Sequence, residues 1–426
     1  MRLRLAVCAL LCCAAAPAVP TNVLLLSVDT LRADHLGCYS YDRPTSPTLD
    51  ALAAQSLLFE DAVCEIPLTN PSMGSMLSSR YPRMNGTTRN GLPMPAEVPL
   101  VQEVFQQNGY HTLCVTSNWT LKRKLSGLDR GFDVYDDNFH KKRWGFIKPE
   151  RPGEEVTELA IQALTSRPQD KPFFAWVHYS DPHAPYKLHA DHQPAGKGGL
   201  RRSKAEKVKA RYDSEIAFTD AQIARLLQAL PENTAILFVG DHGESLYDHG
   251  YLGHGRRIHQ PGLHIPLFVR AESVSAARSA FPARGLDVGP TLLGLAGLPR
   301  PEGMLGLDLL HDTTLPTHRA RVVETYGGAV PNVPGARAVM GDAGPMLQGV
   351  IADRWKLVVE GRQTELYHLE VDKEELNDLS ASEPERVKAL REILDAWNNS
   401  ITRGEASAQT LTQEDIQALE SLGYVE

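Results

Sequence analysis

The apolar residues of the chain fall into short, nearly continuous runs, and each run stops at a polar group. Residues 22–28 (NVLLLSV) end on Asp29, and residues 109–116 (GYHTLCVT) on Ser117 and Asn118. Residues 173–179 (FFAWVHY) run into Ser180, Asp181 and His183, and residues 235–239 (AILFV) into Gly240, Asp241 and His242. Runs of this length predict strands buried on both faces, as in a parallel sheet. Residues 265–269 predict another. In open α/β sheets ligands gather beyond the carboxyl ends of the strands, so the residues that close these runs are the candidate chemistry.

Helical spacing fills the intervals. Residues 47–59 carry Leu49, Leu52, Leu57 and Leu58, with Ser46 as a cap before Pro47. Pro71 reads as a first helical residue with Asn70 as its cap, predicting a helix over 71–79. That places the Thr69 hydroxyl just outside a helix N-terminus, where amide groups and the dipole suit an oxyanion. A stripe of Ile216, Phe218, Ile223, Leu226 and Leu227 predicts a helix ending near Leu230, and residues 282–301 show a helical pattern around Leu292, Leu293 and Leu298. From about residue 315 the pattern changes. Residues 350–353, 355–360 and 365–369 read as short strands joined by turns and 383–397 as an amphipathic helix, a smaller antiparallel subdomain.

Composition narrows the class without choosing a function. The chain has 426 residues, 42% hydrophobic and 23% charged, as in an ordinary globular protein. A net charge of −8 argues against a nucleic-acid partner, whose binding needs a basic surface, but leaves room for a local anion site. Arg2 and Arg4, the apolar residues 5–16 and the small residues Ala16-Pro17-Ala18 read as an export signal, which predicts a periplasmic or secreted protein, with lipidation at Cys12 or Cys13 as a variant. No other segment approaches membrane-spanning length, so the mature chain is expected to carry no transmembrane helix. Removing residues 1–20 leaves Cys38, Cys64 and Cys114, too few for a disulfide framework.

The chemistry centres on Asp241 and His242, an adjacent carboxylate and imidazole able to give one divalent cation two ligands. Asp29 supplies a third if its strand lies beside theirs; alone it would read as a helix cap. His183 sits between Pro182 and Pro185 on a stiff loop. The run PAGKGGLRRSKAEKVKAR at 194–211 reads as exposed surface, or as a guide for an anionic substrate.

These pieces assembled, the chain closely resembles the sulfatase family of the alkaline phosphatase superfamily. The resemblance rests on NVLLLSVDTLRADHLGCYSYDRPTSPTLDALA, NPSMGSMLSSRYP, GLDRGFD, HYSDPHAPY, VGDHGESLYDHGYLGHG and ELYHLEVDKEELNDL, in order along almost the whole mature chain. It implies an α/β fold, a large mixed and mostly parallel sheet sandwiched by helices, with a small C-terminal antiparallel sheet. The expected division is a signal at 1–20, a catalytic domain at 21–313 and a C-terminal subdomain at 314–426. It further implies one divalent cation (Ca, Mg, Mn or Zn) on Asp29, Asp241 and His242, bridging to a nucleophile at Thr69. Sulfate-cleaving members usually carry Cys-x-Pro-x-Arg, whose cysteine becomes formylglycine. Aligned on Pro71, Thr69 stands at that cysteine and Met73 at the arginine, and Cys64 lacks the following pattern. Asn118 stands where a sulfate-binding lysine is expected and His254 where a second lysine often stands. Asn70 and Asn118 are therefore the candidate substrate-binding residues, and His183 or His254 the acid for the leaving oxygen. The resulting expectation is a metal-dependent hydrolase of an anionic sulfate or phosphate ester acting through Thr69. The alternatives are a phosphoryl head-group transferase and a catalytically silent anion-binding member.

Overall fold

A computed structural model describes residues 22–138, 150–194, 203–312, 316, 318–327, 344–405, 412–415 and 417. The expected export signal lies outside these residues, as does part of the basic run at 194–211. In chain order the strands are β1 (Asn22–Val28), β2 (Leu57–Val63), β3 (His111–Thr116), β4 (Val134–Asp136), β5 (Phe173–Tyr179), β6 (Thr234–Gly240) and β7 (Ser245–Leu246). They continue with β8 (Leu252–Gly253), β9 (Leu267–Arg270), β10 (Ala277–Arg284), β11 (Arg321–Thr325), β12 (Leu347–Ala352), β13 (Trp355–Glu360) and β14 (Gln363–His368).

The large sheet has eight strands in the order β10-β2-β9-β6-β1-β5-β3-β4. Only β9 runs against the others, pairing antiparallel with both β6 and β2. β1 lies between β5 and β6, parallel to both, with Val28 opposite Tyr179 on one side and Gly240 on the other. This register brings Asp29, Ser180 and Asp241 level at one edge of the sheet.

Alternation along the strands feeds two helical layers. Val23, Leu25, Phe174, Trp176, Leu237 and Val239 pack with Met73, Met76, Phe105 and Leu292 on one face. Leu24, Leu26, Val28, Phe173, Ala175, Ile236 and Phe238 pack with Leu49, Val156, Ile216 and Ile223 on the other. Each of the larger aliphatic and phenylalanine side chains contributes about 1.5–3 kcal/mol on leaving water, so register is strongly specified where both faces are buried.

Two stretches differ from their patterns. The helix expected over 47–59 stops at Ala53, and Leu57–Val63 is a strand. There Leu58 and Phe59 enter opposite layers, an alternation that a helix would have put on adjoining faces. The helix expected over 282–301 is confined to Val288–Leu295, because residues 282–284 complete β10. Pro282 resumes the pairing with β2 after a register shift, which accommodates its missing N–H.

The small sheet is antiparallel in the order β11-β12-β13-β14. Val323, Leu347, Ile351 and Val358 join the large core, while Val322, Val350, Leu357 and Leu366 meet Leu390 and Leu394 of the Pro384–Ser400 helix. β11 was not marked by the sequence pattern, and the expected boundary at 313–314 falls among residues that are not described. Arg321 reaches back to Asp61 at 2.6 Å, and Arg319 clasps Asp287. The fully buried Lys356 pairs with Glu375 at 2.6 Å, and Glu375 also accepts the Gln260 N–H at 2.6 Å.

Candidate active site

The ends of β1 and β6 and the start of the Thr69–Ser78 helix converge. Asp29, Asp241 and His242 are fully buried, and one ligand atom from each lies within 4.8 Å of the others. His242 Nε2 stands 3.6 Å from both Asp29 Oδ1 and Asp241 Oδ2. The orientation of that ring is set from behind: its Nδ1 lies 2.9 Å from the Gly243 carbonyl. A carbonyl only accepts, so the proton sits on Nδ1 and the Nε2 lone pair faces the carboxylates. Burial and the nearby His254 push His242 down to about 3, which keeps the ring neutral.

The carboxylates are held differently. Asp241 Oδ1 accepts the N–H groups of Thr30 at 3.1 Å and His242 at 2.6 Å, while Oδ2 has no hydrogen-bond partner among the described residues. Burial and the neighbouring Asp29 push the Asp241 carboxyl well above its usual range. Burial acts on Asp29 the same way, but His178, His183 and His242 together hold it low. Two buried carboxylates and an imidazole lone pair aimed at one point repel one another and leave an acceptor unmet. Such a set fits a divalent cation, and two oxygens with one nitrogen are hard-to-borderline donors.

Asp29 is also steered from the sheet interior. Trp176 Nε1 donates to Ser27 Oγ at 2.9 Å, and that hydroxyl lies 2.8 Å from His178 Nδ1. The other ring nitrogen, His178 Nε2, stands 3.9 Å from Asp29 Oδ2. Ser180 Oγ donates to the same carboxylate oxygen at 3.3 Å. Polar residues within a buried strand, here Ser27 and His178, were the signal available in the sequence for these supports.

Thr69 Oγ1 lies 3.5 Å from Asp29 Oδ1 and 3.4 Å from His242 Nε2, at the edge of this set. Its helix begins at Thr69 itself, two residues before the expected start at Pro71, with Leu68 extended as the cap. The Asn70 N–H donates to Asn90 Oδ1 at 3.0 Å, Pro71 has none, and the Ser72 N–H returns to Leu68 O at 2.8 Å. The first turn is thus largely closed off by its own partners, contrary to the open amide cluster expected from Thr69's position. Ser72 Oγ donates to the Asp241 carbonyl at 2.6 Å and ties the helix to β6.

The remaining candidates divide. Asn118 Nδ2 contacts Asp29 Oδ2 and its Oδ1 accepts twice from Thr120, so the side chain orients a carboxylate. Asn70 Nδ2 donates to Leu92 O at 3.0 Å. The His254 ring lies 4.6 Å from that of His242, tilted to it, and 5.1 Å from that of His183, edge-on, with its Nδ1 3.2 Å from Glu244 Oε1. His183 Nδ1 lies 2.7 Å from Glu150 Oε1 and 2.8 Å from Ala184 O. Burial alone would lower this imidazole, but Glu150, with Asp29 and Glu244, holds it up at about 10. Its loop is pinned because Asp181 Oδ1 accepts the Gly153 N–H at 2.9 Å, and a Cβ at 153 would come within 2.5 Å of Asp181 Oδ2. Glu150 was not foreseen; it reaches the site through an isolated bridge to Asn118, which no local pattern marks.

Cys38, Cys64 and Cys114 are free thiols, and burial pushes Cys64 and Cys114 well above the ordinary value, into the un-ionised form. The family model for Sulfatase matches residues 21–298, well over half of the chain. The chain belongs to the sulfatase family. As a member it is a hydrolase acting on sulfate or phosphate esters, built on the alkaline phosphatase-like fold. It is 27% identical to the Ulvan-active sulfatase of Formosa agariphila over 361 residues, 74% of this chain and 70% of that one. It is 25% identical to the arylsulfatase of Clostridium perfringens over 462 residues, 88% and 93% of the two chains. The solved phosphonate monoester hydrolase of Agrobacterium radiobacter shares the fold, with a TM-score of 0.71 at 19% identity over 92% of this chain and 98% of that one. No helix among the described residues is long and apolar enough to cross a membrane.

Proposed function

We propose that this sulfatase-family protein is a metal-dependent ester hydrolase whose nucleophile is the Thr69 hydroxyl. The observation that carries the reading is the position of Thr69 Oγ1, 3.5 Å from Asp29 Oδ1 and 3.4 Å from His242 Nε2. A divalent cation on Asp29, Asp241 and His242 would polarise an ester oxygen and lower the pKa of that hydroxyl. Thr69 Oγ1, its proton released to solvent, then attacks sulfur or phosphorus as the alkoxide, the bond to the leaving oxygen breaks, and His183 gives that oxygen its proton. Glu150 on Nδ1 keeps His183 protonated at neutral pH and offsets part of the cationic field lost with Asn118 and His254 at the expected lysine positions. Water attacks the enzyme ester in the second step, returning its proton to His183 as Thr69 leaves.

Threonine bears on the choice between sulfur and phosphorus. A formylglycine hydrate has a second hydroxyl on the same carbon and can expel sulfate by collapsing to the aldehyde. Thr69 has no such hydroxyl, so its ester is resolved only by attack on sulfur or phosphorus. Phosphoryl enzymes meet this demand readily. The relatives' names point to sulfate esters and the phosphonate hydrolase neighbour to phosphorus; the threonine favours a phosphate mono- or diester. Residues 1–20 support an exported protein acting in the periplasm or outside the cell.

The test is turnover of matched aryl sulfate, phosphate monoester and phosphodiester substrates with each divalent metal, beside Thr69→Ala. Loss of at least about a thousandfold in kcat for the variant is expected. Turnover that survives in Thr69→Ala would give the nucleophile to another group, and transfer to an added acceptor alcohol without hydrolysis would favour the transferase reading.

A further inference from the structure

His254 rides on a loop that is pliable where it matters. Gly253 and Gly255 flank it with positive backbone angles (φ +119° and +83°), open to glycine and costly to other residues. The Tyr251 hydroxyl donates to the His254 carbonyl at 2.7 Å, and the Gly243 N–H donates to the Gly262 carbonyl at 2.9 Å. These bonds tie the loop to its own stem at either end and leave residues 255–260 to be held from elsewhere.

The small sheet holds them at three points. Thr325, fully buried at the end of β11, donates its hydroxyl to the Gly255 carbonyl, 70 residues away along the chain. Ile258 is fully buried against β12, where a Cβ on Gly349 would come within 3.1 Å of its Cδ1. Glu375 accepts the Gln260 N–H at 2.6 Å while its other oxygen meets Lys356. Gly255 also touches the nucleophile's side: a Cβ there would stand 2.8 Å from Leu68 Cδ2, and Leu68 is the cap directly before Thr69. A single residue thus meets the small sheet through its carbonyl and the start of the Thr69 helix through its Cα. Next to it is His254, whose ring lies 4.6 Å from His242 and 5.1 Å from His183.

We propose that Thr325 is a positioning residue for the hydrolase site: its hydroxyl, acting through the Gly255 carbonyl, fixes the His254 imidazole against His242 and His183. The C-terminal sheet is then a working part of the active site. Without the hydroxyl the Gly255 peptide is free to turn, and His254 with it; a displacement near 1 Å beside the reacting atoms costs up to about a hundredfold in rate. The place of His254 in the reaction rests on the hydrolase reading, and one arm of the test needs no turnover.

Thr325→Val removes the hydroxyl at nearly constant volume, and Thr325→Ser keeps it. With the aryl sulfate or phosphate ester that the full-length protein turns over fastest, Thr325→Val is expected to lower kcat by about ten- to a hundredfold with KM held within about threefold. Thr325→Ser should return most of the rate. In a His254→Ala background Thr325→Val should have almost no further effect, since the hydroxyl acts through that ring. The second arm uses protein labelled with 13C in its histidine rings, where the His254 signal is identified by its absence in His254→Ala. That signal should shift or broaden in Thr325→Val and recover in Thr325→Ser. Thr325→Ala, which also lacks the hydroxyl, takes the place of Thr325→Val should that protein fail to fold. An unmoved His254 signal in the folded variant would overturn the proposal, as would an equal loss of rate with and without His254. If the wild type cleaves no ester while the signal moves as expected, the Thr69 reading fails and the positioning of His254 stands.

Discussion

At the edge of the large sheet, buried charge is short of partners; in the small sheet it is matched. Asp29 and Asp241 face one another beside a neutral imidazole, and Asp241 Oδ2 is unmet. In the C-terminal sheet Lys356 is as deeply buried as they are, yet it meets Glu375 at 2.6 Å, and Glu375 spends its other oxygen on the Gln260 N–H. Glu324 likewise engages Arg83, Gln348 and Tyr326. The first arrangement is a set of donor atoms that fits a divalent cation. The second is a closed network, whose parts contribute stability only together.

The contrast is open to test from its strongest point. Lys356→Met should destabilise the protein by about 3–5 kcal/mol in urea denaturation, because it strands a buried carboxylate. A loss below 1 kcal/mol would mean the small sheet is not closed as described.

The site should respond with the opposite sign. A divalent cation at about a hundred times its Kd should stabilise the wild type by about 2.7 kcal/mol. In chelator, Asp241→Asn should itself raise stability, on the order of 1 kcal/mol, by removing a carboxyl whose ionised form burial and Asp29 disfavour, and it should abolish the metal effect. Melting with and without metal measures both, and an Asp241→Asn protein less stable than wild type in chelator would contradict the unmatched site.

Glu150→Gln sharpens the comparison kinetically. His183 is held up at about 10, so it carries its proton below that value and loses it above. Activity that needs the proton falls as pH rises, and without the Glu150 anion the alkaline limb of kcat/KM should move to lower pH. An unmoved limb would take His183 out of the acid role. The smallest effect belongs to the surface: the His318–Asp353 pair, 80% and 55% exposed, should change stability by less than about 0.5 kcal/mol in His318→Ala.

Much of the site was legible because buried strands announce themselves and their ends are where ligands gather. Asp29, Asp241 and His242 follow apolar runs whose lengths the structure reproduces nearly residue for residue, β1 without change, as is β5 elsewhere in the sheet. Residues 57–63 were less legible, since leucines at helical spacing there also satisfy strand alternation, and only pairing with β9 and β10 decides between them. Glu150 and the inward turn of Asn118 onto Asp29 had no local signature at all.

The sequence by itself determined the two-faced strands, the family and the residue types at the strand ends, because side-chain burial acts locally along each run. Tertiary structure alone decided which of those residues meet. The β1 register set Asp29 level with Asp241, a carbonyl on Gly243 chose the His242 tautomer, and a distant Glu150 placed a charge on His183. Hydrogen bonds and charges act across a few ångströms of space, whatever their separation along the chain.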